Sequence, residues 1–89
     1  MKIRATVWQH GRPEEEHSRV IVDSALELTA EHAARRCAEH FCEVACSESD
    51  LHEADFPLDL MVRVEGKGPI AVRVHARFEP QFSADVVES

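Results

Sequence analysis

The chain has 89 residues, with 17 Asp plus Glu against 10 Lys plus Arg, and a formal net charge of -7 with His neutral. That length holds one domain, 1–89, and excludes a large multi-step enzyme, because so short a chain buries only roughly 60% of the surface that its unfolded form exposes. At 44% hydrophobic and 30% charged residues the composition is that of a folded water-soluble domain, and the negative balance disfavours nonspecific contact with nucleic acid.

The N-terminal residues Met1-Lys2-Ile3-Arg4 run straight into an alternating pattern, with Ile3, Ala5 and Val7 on one side and Lys2, Arg4, Thr6 and Trp8 on the other. Period two predicts a half-buried strand. Neither a signal peptide nor a membrane span is expected, since no window reaches about 18 apolar residues, and a cytoplasmic location follows. Gly11-Arg12-Pro13 and three successive glutamates, Glu14 to Glu16, form a solvated connection. Arg19-Val20-Ile21-Val22-Asp23 is β-branched and short, and it pairs with the first strand in a hairpin that turns Val20 and Val22 inward.

From Ala30 to Cys46 the period becomes helical, with Ala30, Ala33, Ala34, Cys37, Ala38, Phe41, Val44 and Ala45 on one side and Glu31, Arg35, Arg36, Glu39 and Glu43 opposite. Thr29 is the natural N-cap, Ser24 with Glu27 a rival capping box, and Glu31–Arg35 and Arg35–Glu39 are i,i+4 pairs. Ser47 to Asp55 is acidic and weakly patterned, a loop or a short extra turn closed by Pro57. Leu58, Leu60, Val62 and Val64 then alternate with Asp59, Met61, Arg63 and Glu65, and Gly66-Lys67-Gly68-Pro69 reverses the chain. The return strand sets Ile70, Val72, Val74, Ala76 and Phe78 against Arg73, His75 and Arg77, and its parity continues past Pro80, at an edge or a bulge, through Phe82, Ala84 and Val86 as a terminal extension. The expected fold is α+β: a two-layer sandwich in ββαββ order, with a mainly antiparallel sheet of about four strands, one helix on one face and the other face open.

Three cysteines, Cys37, Cys42 and Cys46, lie within one helix and are read as reduced thiols, Cys37 in the core and the other two at its boundary. A thiol or metal site is the alternative, with Cys42 and Cys46 the only pair spaced to share a metal. No turn-borne C-x2-C pair supports it, so no cofactor is expected. Six histidines are scattered, and Ser49, Asp50 and His52 are too close in sequence to form a nucleophile, base and orienter. No G-x-S-x-G, H-E-x-x-H or phosphate-cradling loop occurs, and the expectation is a protein that is not an enzyme.

Two surfaces remain. The open sheet face gathers Arg4, Trp8, Arg19, Met61, Arg63, Arg73, His75 and Arg77, a mixture of arginines and apolar anchors suited to a protein interface or to self-association as a homodimer. Nucleic acid on that face is the weaker alternative, because Trp8 is its only stacking aromatic. The acidic side gathers Glu31, Glu39, Glu43, Glu48, Asp50, Glu53 and Asp55, with Glu27 before them. Residues 26–56 hold eight acids and two bases, whereas the rest of the chain is nearly balanced. The leading expectation is a small interaction module that binds another protein through either the acidic helix and loop or the open Arg/Trp sheet face. On the acidic side the partner would have a basic surface, and inhibition of a nucleic-acid-binding protein is one such role. In size and acidity the chain is similar in general terms to small phage-encoded inhibitors, with no residue motif behind the likeness.

Overall fold

A computed structural model describes residues 1–76 and 82–87. Strands β1 (Lys2–Gln9) and β2 (Ser18–Asp23) are followed by helix α1 (Ala30–Ser47) and by strands β3 (Leu58–Val64), β4 (Pro69–Ala76) and β5 (Phe82–Val86). Short 3-10 turns occupy Glu14–Glu16 and Glu53–Asp55. The fold is α+β, one helix against a five-stranded antiparallel sheet in the order β2-β1-β3-β4-β5. The expected four strands become five because the terminal extension pairs with β4 over Val72↔Val86 to Ala76↔Phe82. The order is therefore ββαβββ. The expectations for Arg77, Phe78 and Pro80 lie outside the described residues.

Strand alternation sorts the core. Ile3, Ala5, Val7, Val20, Val22, Leu60, Val62, Val64, Val72, Val74 and Ala84 are all buried beneath α1. The fully buried residues of the helix are all small, Ala33, Ala34, Cys37, Ala38, Cys42 and Ala45, and the partly buried Phe41 packs beside them. Branched side chains on the sheet meet short ones on the helix, the large-against-small pairing that close packing favours. No polar or charged side chain is buried among the described residues.

Thr29 caps the helix as expected, its hydroxyl accepting from the His32 N–H at 3.2 Å. Ser24 instead forms a local turn with Leu26. The other end closes through a residue with positive φ, Ser49 at 64°. The Asp50 N–H donates to the Ala45 carbonyl at 2.8 Å and the Ser49 N–H to the Cys46 carbonyl at 3.1 Å. This paired arrangement satisfies carbonyls that the helix leaves without partners. In the β3–β4 turn, Gly66 takes a φ of 82°, and the Lys67 N–H donates to the Val64 carbonyl at 2.9 Å. A glycine there adopts the left-handed region without steric cost.

Candidate functional site

The sheet face turned away from α1 is less open than alternation implies. Trp8 lies on it, directly across from Met61 of β3, yet is only 8% exposed. The segment between β1 and β2 folds toward this end of the sheet. Glu14 Oε1 accepts from Arg63 Nε at 2.6 Å, and Arg12 and Glu16 border the same depression as Trp8. Trp8 is thus withdrawn from the solvent contact that an interface anchor or a base-stacking platform requires, and Met61 is half-buried beside it.

Among the described cations on this face, Arg63 and Arg73 are matched by carboxylates, whereas Lys2, Arg4 and Arg19 are not. Arg73 Nε donates to Asp59 Oδ1 at 2.8 Å across the β3–β4 ladder, and His75 Nε2 is 3.8 Å from Asp85 Oδ2 on β5. The hydrogen bond from Arg73 holds the Asp59 carboxyl below its usual range, helped by the charges of Arg73, His10 and His75. Arg4 and Arg19 have no ion pair among the described residues. With Thr6, Ile21, Arg63 and Glu65 they border a shallow groove of about 420 Å³ over β1 and β2. Arg77 lies outside the described residues.

The acidic side is different. Glu43, Glu48, Asp50 and Asp55 are exposed, and none has an ion pair among the described residues. They collect at one end of the molecule: Glu48 is the C-cap of α1, Glu43 stands about one turn before it, and Asp50 and Asp55 follow in the loop. The last turn of the helix carries no base. Glu39, one turn before Glu43, is half-buried and lies 4.0 Å from Arg36. Burial raises its pKa and Glu43 raises it further, against the lowering pull of Arg36 and Arg35. Glu31 is exposed at the far end of the helix, apart from this group, and the side chain of Glu53 is not described.

The helix-surface pairs Glu31–Arg35 and Arg35–Glu39 are not formed. Arg35 Nε turns toward the sheet and donates to the Ala84 carbonyl of β5 at 2.7 Å, leaving Glu39 to Arg36. The same fifth strand corrects the reading of Cys42. Two turns from Arg35, and so on the same side of α1, Cys42 is fully buried where a boundary thiol was expected. Burial pushes the Cys42 thiol up to about 12, reinforced by Cys46, Glu39 and Glu43. Burial likewise pushes Cys37 up to about 11, against Arg36. Cys46 is half-buried, and its thiol is raised by burial and by Asp55. Thiolate is the form that binds metal and attacks electrophiles, so these surroundings work against both uses. Among the described residues no group of three or more His, Cys, Asp or Glu side chains is placed to hold a metal ion.

Sequence reasoning missed Glu14 as the partner of Arg63, because a run of three glutamates in a loop carries no signal of which one folds back. It also missed Asp85, whose place opposite Arg73 and near His75 depends on the register of β5. Among the described residues, no helix is long and apolar enough to cross a membrane. Comparison with protein-family models, with curated proteins and with solved structures finds no match to this chain.

Proposed function

We propose that the chain is a non-enzymatic interaction module that binds a basic protein through the acidic C-terminal end of α1 and the loop after it. A nucleic-acid-binding protein is the natural class of partner, because the cationic surface that such a protein turns to phosphates would be occupied and its activity inhibited. The observation that carries this reading is the placement of exposed acids without an ion pair among the described residues beside the carbonyl end of α1, where the helix dipole disfavours them. The carbonyl end of a helix bears partial negative charge, and an acid beside it costs about 0.3–1 kcal/mol. Glu48 and Asp50 flank that end, Glu43 precedes it, and no base in the last turn offsets them. A cationic partner would relieve both the mutual repulsion of the acids and their conflict with the helix dipole.

The outer sheet face supports the same choice by contrast. Its charges at β3, β4 and β5 are mostly internally matched, and its single tryptophan is covered. The test is capture of partner proteins from a lysate of the source organism by the wild-type chain, by E43K/E48K and by R4E. Loss of a retained protein with E43K/E48K, and its retention with R4E, is the expected result. The opposite pattern would move the interface to the sheet.

A further inference from the structure

Strand β2 is an edge of the sheet, and the direction of its unpaired groups can be worked out from one end of the β1–β2 ladder. Met1 and Ser24 exchange both main-chain bonds, N to O at 2.9 and 2.8 Å, and are therefore a hydrogen-bonded pair. Alternation along an antiparallel ladder makes Ile3–Val22, Ala5–Val20 and Val7–Ser18 the further hydrogen-bonded pairs. The N–H and C=O groups of Arg19, Ile21 and Asp23 thus point away from β1. The Glu65 N–H donating to the Arg4 carbonyl at 2.9 Å agrees, because it shows the residue opposite Ile21 bonded on its other side, to the chain at the end of β3. Among the described residues no main-chain group meets those of Arg19, Ile21 or Asp23.

The side chains of these three residues lie on the outer face in the order cation, apolar, anion. Ile21 is 55% exposed, and Arg19 and Asp23 are exposed without an ion pair among the described residues, although Lys2 lies across from Asp23 on β1. Such a strand is complementary to itself when reversed. We propose that β2 pairs antiparallel with β2 of a second copy about a two-fold axis at Ile21, joining the two sheets into one.

Residues directly opposite on antiparallel strands share a face, so the axis must fall on a residue. At Arg19 or Asp23 it would set like charges against each other. At Val20 or Val22 it would set a charge against Ile21. Only at Ile21 does Arg19 face Asp23 of the second copy and Asp23 face its Arg19, with Ile21 on Ile21 between them. The hydrogen-bonded pairs are then all formed by residues whose main-chain groups are free, giving about six new bonds. On the helix side Val20 and Val22 face each other across the join, and the second strand borders a 290 Å³ groove between β2 and α1 whose helix wall is Phe41, Ala45 and Val44, the last 43% exposed, and whose far end carries Glu48 and Asp50. The contact is isologous and closes at two copies. It also removes an edge strand that has neither proline nor a bulge to protect it.

Sedimentation equilibrium of the purified full chain across the micromolar to near-millimolar range tests this, with circular dichroism to check the fold of every variant. The expected wild-type mass is twice the 10.0 kDa of one chain at the upper concentrations. D23R and R19D each place two like-charged contacts across the axis and weaken association about tenfold or more. Their equimolar mixture restores both ion pairs in the mixed dimer, as R19D/D23R does in its own, and both recover the wild-type affinity. I21K, which alters neither ion pair, sets two ammonium groups together on the axis and also dissociates the dimer. A wild-type chain that stays monomeric at every concentration overturns the proposal, as does a dimer unaffected by D23R and I21K, or a mixture that fails to recover. Arg19 and Ile21 border the same groove as Glu48 and Asp50 whereas Asp23 does not, so D23R is the variant whose outcome is separate from that of the partner-binding reading.

Discussion

Trp8 governs what the outer face of the sheet can do. An exposed tryptophan would anchor a partner or stack on a base, whereas one that is buried, opposite Met61, contributes to the fold. As the only tryptophan in the chain, it reports its own surroundings. Its fluorescence is expected to be blue-shifted and protected from acrylamide in the native state, with both properties lost in urea, and Trp8→Ala should cost about 3–5 kcal/mol in urea denaturation. Water-like emission from the folded protein would return Trp8 to the surface. The thiols give a second residue-level test. With Cys37 and Cys42 buried and raised to about 11 and 12, only Cys46 should react promptly with a thiol reagent at pH 8, and all three after unfolding. Two or more fast thiols in the native protein would contradict the burial of Cys37 or Cys42. Alternation in the sequence places Trp8 on the correct face but carries no information about its burial or about the loop that reaches the same face through the Arg63–Glu14 contact, between residues 49 apart.

At the scale of elements, α1 was largely legible and its surroundings were not. Its start at Ala30, its Thr29 cap and most of its buried stripe follow from three- and four-residue spacing, which is a local property of the chain. Cys42 was misplaced because the width of the buried stripe depends on how many strands lie beneath the helix, and β5 covers the side that carries Arg35 and Cys42. The C-terminal closure was also invisible, since serine gives no advance sign of positive φ. Ser49 occupies the position that glycine favours. Ser49→Gly is therefore expected to stabilise the fold by about 0.5–1 kcal/mol, the relief of left-handed strain exceeding the added freedom of the unfolded chain. Urea denaturation measures it, and a loss of stability would mean that the Ser49 side chain makes a compensating contact.

For the whole molecule, the net charge of -7 divides into two unlike regions. The sheet spreads its ions over an outer face where Arg73–Asp59 and Arg63–Glu14 are paired and His75 lies 3.8 Å from Asp85, while Lys2, Arg4 and Arg19, toward the β2 edge, have no ion pair among the described residues. The helix end and its loop hold acids without counterions. This polarity was readable from the sequence as eight acids against two bases in residues 26–56. The pairing on the sheet was not, because it depends on strand order and register. The central claim is that the acids at the end of α1 are retained for a basic partner at some cost to the stability of the free chain. Binding by wild type and E43K/E48K, immobilised side by side and exposed to one lysate of the source organism, tests it most directly. The account predicts that the reversed variant folds at least as stably as wild type and no longer retains the basic protein that wild type holds. Equal retention by the two would contradict it.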